Sequence, residues 1–433
     1  MDPVNTAPTA APAVPPAVPP VSESQAKARE LLRQQVTTIP ESVYGLERQI
    51  FIGDLVEKLP VESRTLLREM VNSFLMRMFI INASDIDFGG FGGQGQIWYR
   101  IFGTKKPDPT IDKLSSDEIN ILILSLLMSR QRQVLYENKN LDFSYMIQDG
   151  EKLIRFRADA YLDMDQVALN MRAINQTIRP YKTLELHPNI TKIVSLAHTK
   201  EGLTLVTGIT GSGKSSTLDA MIDLNNHTVD GHIVVIASPI EFVHKSDRCI
   251  VRHREVGRDV LSFKDGAIQA LRQDPDIIVI GEMRDPETIM VALEITDSCH
   301  KVFSTLHTAS AVESIDRIIG AIPPVQQERV RYRLADVCRC VMSQKLIPSM
   351  DGKRVLAREV MVMTPSVHSA IKNNNTGEIY QMIQESGDQG MTPMEQDLKR
   401  LFVQKKISLE SAINYSNNKK RMQQLLGAGG PTA

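Results

Sequence analysis

Residues 203–222 read LTLVTGITGSGKSSTLDAMI, and their order decides the fold: a short apolar run, a glycine-rich turn, then a stretch of helical character. Residues 208–215 fit GxxxxGK[ST] at every fixed position. The pattern falls where a strand ends and a helix begins, the context that separates a phosphate-binding loop from a chance match. Gly208, Gly211 and Gly213 let the backbone curl so that successive amide hydrogens point inward at a phosphate, a geometry that side chains would obstruct. The next helix adds its positive end. Lys214 is placed to reach the β- and γ-phosphates of ATP and the Ser215 hydroxyl to ligate Mg2+, with Thr210, Ser212 and Ser216 completing the cradle. A glycine-rich turn that binds nothing is the bland alternative, and the flanking strand and helix weigh against it.

Downstream, DPDIIVIGEMRD (residues 274–285) sets the β-branched residues Ile277 to Ile280 before Gly281 and Glu282. This predicts a buried strand that delivers an acid at its carboxyl end, where ligands of open α/β sheets bind. Glu282 is the candidate base that orients and deprotonates an attacking water. The position that often holds a magnesium-binding aspartate is Gly281 here, which leaves the metal mainly to Ser215, the phosphates and water. HIVVIAS leads to PIEFVH, with Glu241 after the strand, and KVFSTLH ends on His307, a residue able to sense a γ-phosphate by hydrogen bonding. Each could be an ordinary surface acid or a structural histidine; a shared sheet edge argues for function. Strands alternating with helices in this way indicate an α/β domain with a parallel sheet covered by helices, and a RecA-like P-loop domain is expected.

Upstream the rhythm differs. Seven of the first twenty residues are proline and five alanine, so residues 1–23 are expected to form a disordered arm. Helical spacing covers Ser24 to Arg33 and Ser63 to Ile81, and one further helix is expected from Ser116 to Leu135. Strand-like runs occupy Gln96 to Phe102, Leu141 to Met146, Lys152 to Tyr161 and Val167 to Ile174. These define a smaller α+β domain over residues 24–180, a linker at 181–189 (YKTLELHPN), an ATPase domain at 190–426 and a loose tail at 427–433. No internal repeat is visible. At 433 residues the chain exceeds one ordinary core, so two folded domains are expected.

Composition excludes several classes. The formal net charge is -1 with 23% charged residues, which gives no overall basic excess for nucleic acid. The longest apolar stretch, Ile119 to Met128, is about half of what a membrane-spanning helix needs. No signal peptide opens the chain, so a cytoplasmic location is expected. Cys249, Cys299, Cys338 and Cys340 show no zinc-type pairing and are expected as buried free thiols.

Together these residues carry a family likeness. The chain resembles the secretion-superfamily (type II/IV secretion) hexameric ATPases, in the PilT/DotB-like branch of pilus-retraction and type IV secretion motors, over residues 67–426. GITGSGKSS is similar to the family's Walker A, ASPIEFVHKSDRCIVRHREVGRD to its Asp box, LRQDPDIIVIGEMRDPETI to its Walker B and TDSCHKVFSTLHTASAVESIDRII to its His box. LADVCRCVMSQKLIP and the segment through MTPMEQDLKRLF resemble its helical tail, and ASDIDFGG with RFRADAY its PAS-like N-terminal domain. The resemblance implies a homohexamer with nucleotide between subunits, Glu282 in catalysis, and Glu241 and His307 lining the active site. It further implies trans-acting arginines, for which Arg155, Arg157, Arg172 and Arg254 are the candidates, and peripheral association with inner-membrane components of a pilus, conjugation or secretion apparatus. The chain departs from the family at Ala237 and Ser238, where relatives usually carry Glu-Asp, and at Cys299, usually glycine.

The leading expectation is thus an ATP-hydrolysing motor. Two rivals stand beside it: a nucleotide-gated ring scaffold with little turnover, motivated by Ala237 and Ser238, and a DNA translocase, for which the near-neutral charge gives little encouragement.

Overall fold

The computed structural model describes residues 23–150, 152–174 and 177–427. Apart from Glu23 and Gly427, the expected arm and tail lie outside them. The chain divides into two compact units after Asn175.

The first unit builds one antiparallel sheet from β1 (Ala83–Gly89), β2 (Trp98–Ile101), β3 (Thr104–Pro107), β4 (Asn140–Asp149), β5 (Lys152–Asp163) and β6 (Gln166–Ala173), in the order β3-β2-β1-β6-β5-β4. Alternate residues divide between its faces. Ile86, Phe88, Phe156, Ala158, Leu169 and Met171 are buried in one core with Leu67, Phe74 and Leu75 of the helix Val61–Ile80 and Ile121 to Leu124 of the helix Ser116–Leu126. This is the α+β domain the pattern predicted.

Several elements differ from expectation. The single helix expected from Ser116 to Leu135 is two, Ser116–Leu126 and Ser129–Asn138. Leu127 and Met128 are extended between them, and Arg132 donates to the carbonyls of Leu124 (3.2 Å) and Leu127 (2.8 Å). A guanidinium thus satisfies carbonyls that continued helix would have used. A helix at Gly45–Lys58 and strands β1 and β3 were not foreseen. Cys299 is exposed, unlike the other three cysteines.

In the second unit the sheet comprises β7 (Gly202–Thr207), β8 (Gly231–Ala237), β9 (Cys249–Glu255), β10 (Ile277–Ile280), β11 (Lys301–Leu306), β12 (Cys338–Pro348) and β13 (Arg354–Val362). Its order is β13-β12-β7-β11-β10-β8-β9, and only the β12/β13 pair is antiparallel. Placing β11 between the loop-bearing strand β7 and the acid-bearing strand β10 is the RecA-like arrangement. Part of the expected helical tail is therefore strand: β12 lies directly against β7. The apolar run Ile277 to Ile280 is wholly buried because both faces are covered. Ile278 and Ile280 join one core, Ile277 and Val279 the other. Each such side chain contributes about 1.5–3 kcal/mol by leaving water.

Residues 181–189, expected as a linker, carry a short 3-10 turn at Tyr181–Leu184, and Pro188 opens the helix Pro188–Val194. The Tyr181 hydroxyl donates to Thr191 Oγ1 at 3.3 Å, and Arg358 donates to the carbonyls of Leu184 and Glu185. Among the described residues no helix is long and apolar enough to cross a membrane.

Candidate active site

The glycine-rich turn joins β7 to the helix Lys214–Thr228. Gly208, Gly211 and Gly213 have φ of 150°, 79° and 87°, the left-handed half of backbone space that glycine enters freely. A Cβ on Gly208 would stand 2.4 Å from Ser212 Oγ and 2.5 Å from the Gln344 carbonyl oxygen, so no other residue fits. Gly213 is the N-cap and offers no side chain to the first amides of the helix, which keeps those donors for an anion. Ser212 Oγ is buried without a hydrogen-bond partner. Ile209, Thr210 and Gly211 are exposed at the tip, Ser215 is half-buried and Ser216 exposed.

Lys214 is buried and bends back over the turn, donating to the carbonyls of Gly208 (2.8 Å) and Ile209 (3.2 Å). Burial lowers its pKa from the ordinary lysine value, while Glu282 and then Glu241 pull it up. Both acids are therefore electrostatic neighbours of this ammonium. Lys214 Nζ also lies 3.5 Å from His307 Nδ1, and His307 Nε2 lies 2.9 Å from Glu282 Oε1. These partners select one tautomer: Nδ1 accepts from the ammonium and Nε2–H donates to the carboxylate. Burial and then the Lys214 charge push the His307 pKa down, with Glu282 opposing and Arg284 and Arg317 adding to the fall. Lys214, His307 and Glu282 come from the ends of β7, β11 and β10, neighbours in the sheet. Parallel pairing of these three strands, together with the turn over which Lys214 bends back, places a cation, an imidazole and a carboxylate side by side.

Two participants were missed. Arg284 Nε lies 2.6 Å from the same Glu282 oxygen; it stood two positions beyond Glu282 in the quoted strand end, so a signal was present. Gln344 had none. Buried on β12, it donates to the Ser212 carbonyl (3.1 Å) and accepts from Thr217 Oγ1 (3.0 Å), tying the turn to its helix. At Gly281, before Glu282, a Cβ would lie 3.1 Å from the Ile236 carbonyl oxygen and 3.2 Å from Ala237, so a larger residue there would make a tight contact with β8. Cys299, at a position the family usually gives to glycine, has φ of 65°.

The arginine candidates are dispersed. Arg155 is buried on β5, Arg157 is 3.8 Å from Asp142, and Arg172 pairs with Asp85 at 2.7 Å, all in the first unit. Arg254, on β9, donates to Gln269 Oε1 (2.8 Å) and the Asp259 carbonyl (3.3 Å).

A P-loop turn, an intervening strand and a carboxylate beside the loop lysine define a RecA-like ATP-binding enzyme, an ATPase. The family described as type II/IV secretion system protein matches residues 61–354. The type IV pilus retraction ATPase PilT of Pseudomonas aeruginosa is 38% identical over 299 residues, 69% of this chain and 85% of that protein. The twitching motility protein of Neisseria gonorrhoeae is 37% identical over 313 residues, 72% and 82% of the two chains. Among solved structures, the pilus retraction motor PilT with bound ADP superposes with a TM-score of 0.72 at 37% identity, covering 81% of this chain and 98% of that one. The chain belongs to the type II/IV secretion ATPase family, in the branch of the PilT-type motors.

Proposed function

We propose that this protein is a homohexameric motor that hydrolyses ATP at Lys214, Glu282 and their neighbours to drive a type IV pilus or type IV secretion machine from the cytoplasmic side of the inner membrane. The observation that carries the chemistry is the line Lys214–His307–Glu282, with steps of 3.5 Å and 2.9 Å across three adjacent strand ends. The turn over residues 208–216 takes the phosphates, and Lys214 exchanges the carbonyls it now caps for phosphate oxygens. The oxygen donors near Lys214, the Ser215 hydroxyl with the Glu241 and Glu282 carboxylates, suit a hard divalent cation. Ser215 would hold Mg2+, which supplies positive charge against the phosphate oxygens.

Glu282 orients a water for attack on the γ-phosphorus and takes its proton as the new P–O bond forms and the bond to ADP breaks. Arg284 and the Nε2–H of His307 hold the carboxylate in direction. Glu241 is the second acid of the site. Arginines from a neighbouring subunit, with Arg155, Arg157, Arg172 and Arg254 as candidates, neutralise charge in the transition state. The likeness to the pilus retraction ATPase supports retraction or secretion as the work performed.

Phosphate release from the purified full-length protein with Mg2+ and ATP, compared with Glu282→Gln, tests the proposal. Steady release that the substitution removes is expected. Equal release from both proteins would overturn the role of Glu282, and none from the native protein would favour a scaffold.

A further inference from the structure

Glu241 sits on a segment with neither helix nor strand: β8 ends at Ala237 and β9 begins at Cys249. Something else must hold the carboxylate in place. At the start of the segment the Ile240 amide donates to Glu255 Oε2 at 3.2 Å. Beyond Glu241 the chain is laid along one face of the helix Lys214–Thr228. Ser215, Asp219, Asp223 and Asn226 have the spacing that puts side chains on one face.

Contacts run along that face from its far end toward the phosphate cradle. The Asn226 side chain donates to the Lys245 carbonyl (2.8 Å) and accepts from the Asp247 amide (3.1 Å). His227 stands between Asp223 (3.2 Å) and Asp247 (2.7 Å). Nearer the cradle His244 Nε2 lies 3.1 Å from Asp219 Oδ1, one helical turn beyond Ser215. Three residues before His244 stands Glu241, an electrostatic neighbour of Lys214.

His244 is the anchor nearest the site. Its side chain is 1% exposed, its ring stacks on that of His253 at 5.8 Å and 5°, and Phe242 meets it edge-on at 4.8 Å. Its amide donates to His253 Nε2 at 3.0 Å. Nδ1 is buried with no partner, so the ring proton belongs on Nε2, where Asp219 receives it. A ring caught between two aromatic neighbours and one carboxylate has a single orientation.

We infer that His244, bonded to Asp219 on the phosphate-loop helix, is a positioning residue that fixes where Glu241 stands relative to Lys214 and Ser215. This rests on the proposed role of Glu241 and deepens it. His244 itself reaches no phosphate, so its removal spares binding and impairs turnover through a displaced carboxylate. A misplacement of about 1 Å costs roughly 100-fold in rate at a reacting centre.

The test is a double-mutant cycle on phosphate release from the full-length protein, measured across ATP concentrations with Mg2+ present, for native protein, E241Q, H244A and E241Q with H244A. E241Q alone reports on Glu241: native kcat in that variant would overturn the role of Glu241 and the inference together. With E241Q impaired, H244A is expected to lower kcat by a similar factor, about 10- to 100-fold, with KM within about twofold, and the double variant to be no slower than E241Q. Losses that multiply, or a raised KM at native kcat, would overturn the inference and leave Glu241 its role. H244Q, which keeps an N–H donor near the Nε2 position, is expected to recover most of the loss. H244Q no better than H244A would show that the bond to Asp219 does not act in positioning. Should H244A not fold, D219A makes the same break from the helix side, with the same expected kcat loss and the same overturning results.

Discussion

Charge is arranged differently in the two sheets. On the six-stranded sheet, acids and bases stand mid-strand and pair across the face: Arg172 with Asp85 at 2.7 Å, Lys105 with Asp87 at 2.5 Å, Arg157 with Asp142 at 3.8 Å. On the seven-stranded sheet the adjacent strands β7, β11 and β10 carry no charged side chain between their ends, and Lys214, Glu282 and His307 gather beyond those ends. An antiparallel sheet can bury one face and offer the other to water, so charges along its strands pair and stay solvated. A parallel sheet covered on both faces expels charge to its edges, and there opposing groups meet in a half-buried setting where their interactions are strong. Pairing satisfies charge in the first unit, whereas the edge of the second gathers charge around a site.

Lys214→Ala gives the largest effect expected. It removes two hydrogen-bond donors to the loop and the charge meant for phosphate, and ATP affinity should fall by about 100-fold or more. Calorimetric titration checks this, with circular dichroism confirming the retained fold; native affinity would break the contrast at its centre. Glu282→Gln comes next, lowering kcat by about 100- to 10,000-fold while leaving nucleotide binding within a few-fold. A parallel loss of binding would instead make Glu282 part of the cradle.

Gly208→Ala asks whether the cradle depends on backbone freedom. Its Cβ would meet Ser212 Oγ and the Gln344 carbonyl oxygen, and a loss of about 10-fold or more in affinity is expected from the forced shift. The pH dependence of stability sharpens the electrostatic side. His307 has its pKa held below the ordinary 6.5, so between the two values the unfolded chain binds more protons than the folded one. Its contribution is complete above 6.5 and is lost as pH falls through the folded value. Melting temperatures from about pH 7.5 to 5.5 should therefore fall more steeply in native protein than in His307→Asn; identical slopes would contradict the assignment.

The smallest expected effect is on stability in Arg157→Ala. Both members of its pair are 54% exposed, and such pairs contribute under about 0.5–1 kcal/mol. Unchanged melting with a lowered kcat would draw the first unit into the reaction; unchanged melting and unchanged kcat would keep the contrast intact.

The sequence by itself determined the glycine-rich turn between strand and helix, the class of the second sheet, and that Glu282 and His307 follow two of its strands. A P-loop is made by consecutive residues, and its chemistry lies in backbone amides that glycine spacing alone exposes. Buried strands likewise declare themselves as unbroken β-branched runs, and the residues just past them fall at the sheet edge. Only the tertiary structure decided which strand ends are neighbours, and hence that His307 stands between Lys214 and Glu282. It alone brought Gln344 under the turn, seated His244 on Asp219, and broke the helix after Leu126 by giving its carbonyls to Arg132. Those contacts join residues far apart in the chain or compete with local propensity, and no local pattern records which distant group will satisfy a buried donor or acceptor.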